Sequence, residues 1–206
     1  LCDDSARGLL KPFTYTRPVA DCRVGILTLR EKWEHYLGKP VSILTEDYLS
    51  AKYPLHKEPE NIRINAAVLP DEDLLRALFD LHEGEKLVQE GEWIAAGPSD
   101  VSHINDLVAL KPVEYAGEVC RLKYPWDIFQ MNDAALRADF ALLTRGRQSQ
   151  PIPESNHVVQ PGQIFLEEGA EVECSGLNAS TGPIYIGKHA CIMEGCLIRG
   201  PLSLGA

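Results

Sequence analysis

The stretch Ile184-Tyr-Ile-Gly-Lys-His-Ala-Cys-Ile-Met-Glu-Gly-Cys-Leu-Ile-Arg-Gly-Pro-Leu-Ser-Leu204 decides how this chain is read. Ile186, Ile192, Ile198 and Leu204 fall six residues apart, and Ala190, Cys196 and Leu202 stand at the fourth position after the first three. Together they make a period-two pattern with inward residues at 184, 186, 190, 192, 196, 198, 202 and 204, broken once per hexad at Lys188, Glu194 and Gly200. An antiparallel strand would keep its alternation and then reverse at a turn. Short apolar strands broken at fixed intervals describe a coil around a narrow core, each rung stacked on the last. Ile186, Ile192 and Ile198 are then expected to be fully buried. Leu166 with Ala170 and Val172 with Gly176 show the same register earlier, and Asn178-Ala-Ser-Thr-Gly-Pro183 shifts the frame by two residues. A small antiparallel sheet is the alternative.

The units Ile186-Gly-Lys-His-Ala-Cys191 and Ile192-Met-Glu-Gly-Cys-Leu197 resemble the hexapeptide repeats of left-handed parallel β-helices. That resemblance alone implies the handedness. It also implies assembly through the sides of the coil as a homo-oligomer, a trimer for a full-length protein. Trimeric relatives transfer acyl groups with a histidine as base, which makes His189 the acyltransferase candidate here.

Around this segment, 206 residues of which 45% are hydrophobic are enough to bury a proper core in one or two domains. A net charge of −10 argues against nonspecific nucleic-acid binding, while leaving room for a local basic pocket that holds a small phosphate. The cysteines at 2, 22, 120, 174, 191 and 196 include no C-x-x-C pair, and several fall at apolar strand positions, so they read as reduced core residues of a cytoplasmic protein. Neither a run of 18 apolar residues nor a signal peptide is found, so no membrane partner is expected. The chain opens without Met and stops just after Leu204-Gly205, as expected of a piece of a longer protein.

Arg7, Lys11, Arg17 and Arg23 crowd into the opening of this acidic chain, with prolines at 12 and 18 favouring a loop. Guanidinium forks and backbone amides in such a loop suit phosphate oxygens. A solvated loop with local salt bridges is the alternative. Pro12-Phe-Thr-Tyr-Thr-Arg-Pro18 resembles the signature loop G-x-G-T-R-x-x-P-L-T-x-x-x-P-K of sugar-1-phosphate nucleotidyltransferases. The chain is similar to a subgroup of these proteins fused to a β-helix. Its wider relatives are the bifunctional N-acetylglucosamine-1-phosphate uridylyltransferase/glucosamine-1-phosphate acetyltransferase and glucose-1-phosphate thymidylyltransferase-like families.

The resemblance implies that Arg7 is catalytic, supporting the triphosphate and the leaving pyrophosphate, and that Arg7, Gly8, Thr14, Arg17 and Arg23 bind nucleotide or phosphate. A pocket bordered by Arg7, Thr14 and Arg17 is therefore expected. The implied partners are a nucleoside triphosphate and a sugar phosphate, with Mg²⁺ as cofactor. Departures from the pattern are plain: Asp3-Asp4-Ser5-Ala6 replaces the glycine-rich turn, and Val19 replaces the lysine. Asn65-Ala66 stands where relatives place a Mg²⁺-binding Gly-Asp. A scaffold that binds nucleotide or sugar phosphate without turnover is therefore a further reading.

Thr28-Leu-Arg-Glu31 predicts a capped helix that runs through Trp33 and Tyr36 and ends at Gly38. Strands are predicted at 41–44 and 62–69, an amphipathic helix at 70–81, and a hairpin turning at Glu90-Gly91. Pro125 opens a long helix to Leu143. Its Pro-Trp-Asp-x-x-x-x-Asn start resembles a nucleotidyltransferase element whose asparagine, here Asn132, contributes to Mg²⁺ binding in some relatives; a buried structural amide is the alternative. Arg145 and Arg147 suit the negative end of that helix, although they could also reach phosphate. The expected fold is α/β: a Rossmann-like nucleotidyltransferase-type domain over 1–147, a linker over 148–163 and a truncated left-handed β-helix over 164–206.

Overall fold

The capping box forms as predicted: Thr28 Oγ1 accepts from the Glu31 N–H at 3.2 Å and the Glu31 carboxylate accepts from the Thr28 N–H at 2.7 Å. It belongs to a computed structural model that describes residues 1–56, 61–98 and 104–205. Two units emerge, Leu1–Arg23 with Leu27–Ile128, and Val24–Ile26 with Phe129–Ala206.

In the first unit, α1 (Ala6–Leu9) follows the extended line Leu1–Asp3, and α2 (Leu29–Leu37) ends at Gly38, whose φ of 66° only glycine adopts freely. Trp33 of α2 is fully buried and donates from Nε1 to the Val68 carbonyl at 2.9 Å. A buried indole needs such an acceptor, because a lost hydrogen bond in the interior costs about 1–3 kcal/mol. The sheet comprises β1 (Arg63–Ile64), β2 (Glu85–Gln89), β3 (Glu92–Ala96) and β4 (Lys111–Glu114) in the order β1-β3-β2-β4. Strands β2 and β3 form the predicted hairpin, with Glu90 and Gly91 both at positive φ (52° and 79°) as a tight primed turn requires. Cys2 makes parallel bridges to Leu44 on one side and Asn65 on the other, so Leu1–Asp3 lies between two parallel neighbours.

Three predicted elements are shorter than their sequence patterns. The strand at 41–44 reduces to the Leu44 bridge, held by hydrogen bonds from Leu44 N to Leu1 O and from Asp3 N to Leu44 O. The strand at 62–69 pairs as a ladder over Arg63–Ile64 and then bends, because the Asn65 side-chain carbonyl accepts from the Ala67 N–H at 3.0 Å and closes a local turn. Helix α3 (Glu72–Phe79) is trimmed at both ends, since the Asp71 carboxylate caps it by accepting from the Leu74 N–H at 2.7 Å. Its Leu74 and Leu78 are buried, as the pattern requires.

The predicted long helix is two helices, α4 (Pro125–Gln130) and α5 (Asn132–Thr144). Each start is anchored separately. Asp127 accepts from the Lys123 and Tyr124 N–H groups, both at 2.8 Å, and Asn132 Oδ1 accepts from the Gly25 N–H at 2.9 Å.

The second unit gathers α5 and eight short strands: β5 (His157–Val159), β6 (Ile164–Leu166), β7 (Glu171–Val172), β8 (Gly176–Asn178), β9 (Ile184–Ile186), β10 (Cys191–Ile192), β11 (Leu197–Arg199) and β12 (Leu202–Leu204). Every strand pairing among its described residues is parallel: β5-β8-β11, β6-β9-β12 and β7-β10. Each strand thus pairs with the third one after it, and Ile164, Leu166, Val172, Leu177, Ile184, Ile186 and Ile192 form a shared apolar core.

The register splits the frame shift into two parts. Val172 to Leu177 is one residue shorter than its partner segment Ile192 to Ile198, and Leu177 to Ile184 is three longer than Ile198 to Leu202. The short corner turns at Cys174, which has a φ of 50°. Ile186 and Ile192 are buried as expected, whereas Ile198, Cys196 and Leu202 are half-buried and Leu204 is exposed, because no rung among the described residues stacks on β11 and β12. Cys174 and Cys191 are exposed rather than buried in the apolar core.

A second cluster, Ile26, Leu136, Phe140, Phe165 and Tyr185, packs α5 onto β6 and β9. Beside it, the Tyr185 hydroxyl donates to Glu167, whose other oxygen accepts from Arg147 at 2.6 Å.

Candidate active site

In open α/β sheets, ligands gather outside the carboxyl ends of the parallel strands. Here those ends deliver Asp3-Asp4-Ser5 after Cys2, Thr45-Glu46 after Leu44, and Ala66 after Asn65. Asp3 organises the first group. Its Oδ1 accepts from the Val19 N–H at 2.9 Å, and its Oδ2 accepts from Thr45 Oγ1 at 2.5 Å and from Arg7 Nη1 at 3.1 Å. Burial raises the Asp3 pKa, and the bonds from Thr45, Val19 and Arg7 work against that rise without cancelling it.

Arg7 is turned inward. Besides Asp3, Nη1 donates to the Arg17 carbonyl at 3.0 Å, while Nη2 donates to the Thr14 carbonyl at 2.5 Å and to the Tyr48 hydroxyl at 2.6 Å. Nε lies 3.8 Å from a Glu46 carboxylate oxygen. Thr14 Oγ1 returns a bond to the Arg7 carbonyl at 2.7 Å. Both Nη atoms are thus spent on protein acceptors, and the residue is 7% exposed. In this geometry Arg7 and Thr14 fix the course of the loop from Leu10 to Pro18.

Gly8, Arg17 and Arg23 are exposed; Arg23 sits 3.8 Å from Glu31, and Arg17 joins the cluster through its backbone carbonyl. Asn132 is an exposed rather than buried amide, its oxygen engaged by Gly25. His189 has a φ of 55°, and its ring lies against Gly169, where a Cβ would come within 2.2 Å of Nδ1.

A cavity of about 590 Å³ opens beside the Asp4-Ser5 turn. Its lining includes Asp4, Ser5 and Leu9 from the turn and α1, and Lys86, Glu92, Arg121 and Lys123 from later in the unit. Of the residues expected to bind phosphate, none of Arg7, Gly8, Thr14, Arg17 and Arg23 lines this cavity. Asp4 is held in place as its Oδ1 accepts from the Ala6 N–H at 2.9 Å and its Oδ2 from Asn65 Nδ2 at 2.7 Å. The same Asn65 amide donates to the Trp93 carbonyl at 3.2 Å. Asn65 is fully buried, so it ties the turn to the sheet from beneath.

Also in the lining, one oxygen of Glu92 pairs with Arg121 and the other with Lys123 at 2.9 Å. These contacts, that of Lys123 foremost, hold the Glu92 carboxyl below its usual range. Sequence reading missed these charges because they come from separate elements. One local signal was present: Arg121 and Lys123 flank the fully buried Leu122, the period-two pattern of an extended segment with one face in the core.

A family model described as sugar nucleotidyl transferase matches residues 1–148. The chain belongs to the sugar nucleotidyl transferase family. The match contains the whole first unit and its cavity. No curated protein matches the chain. Membership implies a nucleotide and a sugar phosphate as substrates. No helix among the described residues is long and apolar enough to cross a membrane.

Proposed function

We propose that this member of the family joins a nucleoside triphosphate to a sugar 1-phosphate. A phosphate oxygen of the sugar phosphate attacks the α-phosphorus, the bond from that phosphorus to the oxygen bridging it to the β-phosphate breaks, and pyrophosphate leaves with that oxygen and its electron pair. The observation that carries the reading is the position of the cavity: it opens at the carboxyl end of the parallel line through Cys2, inside the segment that the family match covers. Phosphoryl transfer of this type is mostly positioning and charge neutralisation. Lys86, Arg121 and Lys123 supply cationic charge, Asp4-Ser5 the turn at the strand end, and Arg7 holds the loop from Leu10 to Pro18 in place from within.

Among the described residues no three His, Cys, Asp or Glu side chains gather to hold a metal. Mg²⁺ needs less than that, since it commonly takes one or two carboxylates together with substrate phosphates. Asp4, half-buried at the cavity edge, fits as that carboxylate, and Mg²⁺ held there would neutralise phosphate charge. Asn132 is a poorer candidate, because it is not among the residues that line the cavity and its amide oxygen carries no charge.

A binding scaffold without turnover is the second reading, favoured by the inward course of Arg7 and by Val19 and Asn65-Ala66 at positions where relatives carry charged groups. We also read the second unit as a parallel β-helix, supported by the parallel strand pairing among its described residues and by its hexad repeat; its left hand and its assembly as a trimer rest on the resemblance to hexapeptide-repeat proteins alone. Incubating the protein with each of the four ribonucleoside triphosphates and dTTP, a hexose 1-phosphate and Mg²⁺, and assaying pyrophosphate, tests the main reading. Release that needs both substrates is expected. Binding without release favours the scaffold, and neither binding nor release overturns both.

A further inference from the structure

The carboxylate of Glu92 stands between two cations, one oxygen on each, at the open side of a cavity. Arg121 is nearly enclosed, with a side-chain exposure of 10%, and its Nη2 donates to the Trp93 carbonyl at 3.2 Å. That bond fixes the guanidinium and leaves Nη1 aimed at Glu92. Lys123 and Glu92 are about half exposed, with side-chain exposures of 49% and 48%. Lys86 also lines the cavity, its Nζ donating to the Leu107 carbonyl at 2.8 Å. The lining therefore holds three cations, Lys86, Arg121 and Lys123, against two carboxylates, Asp4 and Glu92.

We infer that Arg121 and Lys123 form a subsite for a phosphate monoester dianion, and that Glu92 is an internal stand-in that occupies the subsite until the ligand displaces it. This rests on the nucleotidyltransferase reading for its place in a reaction, not for its chemistry. Two carboxylate oxygens divided between an arginine fork and an ammonium trace the arrangement in which two oxygens of a phosphate are bound. The exchange is feasible because the exposed Glu92 regains water when it leaves, while the enclosed Arg121 would lose a partner unless another anion replaced it. A monoester dianion carries more charge than a carboxylate and offers three oxygens, so it competes well for an excess of cationic charge.

Titration calorimetry on the full chain with inorganic phosphate, glucose 1-phosphate and ATP, run without Mg²⁺, tests the inference. Glu92→Gln should bind glucose 1-phosphate about three- to tenfold more tightly, since the competing charge is gone. Lys123→Gln should bind it about tenfold more weakly, and raising salt should weaken binding to the parent protein. Arg121→Gln should lose binding. Because that variant removes a nearly buried charge, its fold is checked by thermal melting, and the exposed Lys123 carries the test if it melts early. Glucose 1-phosphate binding with ATP unaffected by the variants assigns the subsite to the sugar phosphate. The reverse pattern assigns it to a phosphate of the triphosphate. If neither glucose 1-phosphate nor ATP binds more tightly to Glu92→Gln, or neither binds more weakly to Lys123→Gln, the inference is overturned. If the variants behave as stated but no pyrophosphate forms with any triphosphate, the subsite stands and the catalytic reading falls. Turnover with a KM for both substrates indifferent to Lys123→Gln does the opposite.

Discussion

The Arg7 guanidinium lies 3.1 Å from the Asp3 carboxylate, with side-chain exposures of 9% and 6%, so the two charges are withdrawn from water together. Such a pair contributes little by existing and much by being broken, because the survivor is left buried and unpaired. Arg7→Met should therefore lower stability by about 3–5 kcal/mol, read as a fall in the urea midpoint. Arg7→Lys should recover only part, since an ammonium lacks the fork that reaches the Thr14 and Arg17 carbonyls and Tyr48 at once. An Arg7→Met protein with an unchanged midpoint that no longer binds triphosphate would return Arg7 to direct ligand contact.

Gly25 marks a second point where one atom decides. Its φ is 81°, and a Cβ there would sit 2.6 Å from Asp139 Oδ2 and 2.8 Å from the Ala135 backbone carbon. The following N–H, that of Ile26, donates to the same Asp139 oxygen at 2.8 Å. Gly25→Ala would meet both a strained backbone and helix backbone that has no room to give. A loss of about 2–4 kcal/mol is expected, visible as an early thermal transition or poor soluble yield. Ala at Gly146, where φ is 70° and a Cβ meets nothing within 4 Å, is the control and should cost about 1 kcal/mol.

These two cases show what the sequence discloses. Where one local rule acts alone, it is legible: the Thr28–Glu31 box, the Glu90-Gly91 turn and the apolar face of α3 follow from neighbours within a few residues. Reading fails where a distant group settles the outcome. The side-chain carbonyl of Asn65 bends a strand that its apolar residues favour, and Asn132 starts a new helix while engaging Gly25, 107 positions away. Charge clusters are the least legible. The crowding of Arg7, Arg17 and Arg23 implied an outward-facing anion pocket, yet the fold turns the Arg7 guanidinium inward. The cations of the cavity come instead from residues 86, 121 and 123, which no short motif connects.

Tyr185 makes stability depend on alkaline pH. Burial, and then the Glu167 carboxylate that its hydroxyl bonds, push its pKa up to about 12. An unfolded tyrosine ionises near ~10, so between about 10 and 12 the unfolded chain has released a proton that the folded chain retains. The contribution of this group is thus complete below about pH 10 and falls as pH rises toward 12. Tyr185→Phe keeps the ring that stacks on Phe165 at 5.8 Å and removes the titrating hydroxyl. Urea midpoints from about pH 9 to about pH 11.5 should fall less steeply in the variant than in the parent protein. The burial of Cys22, with its pKa near 11, adds a slope of its own in this range, common to both proteins and so absent from their difference. Equal slopes would mean that Tyr185 titrates as a solvated tyrosine.

The hexad isoleucines should separate by rung. Ile192 is 7% exposed within the shared apolar core, and its strand β10 pairs with β7. Ile198, one hexad later, is half-buried, and its strand pairs only with β8 among the described residues. An aspartate at 192 would place a carboxylate among aliphatic side chains with no cation to receive it, at a cost of about 3–5 kcal/mol, of the order of a domain's whole stability. At 198 the same carboxylate keeps water on one side and escapes most of that cost. Ile192→Asp should therefore collect in the insoluble fraction, while Ile198→Asp stays soluble with a urea midpoint only modestly lowered. Ile192→Val, which removes one methylene and adds no charge, should cost about 0.5–1.5 kcal/mol and show that the site tolerates handling. Equal loss from the two aspartates would mean that in solution Ile198 is covered as fully as Ile192, with a second copy of the chain stacked against β11.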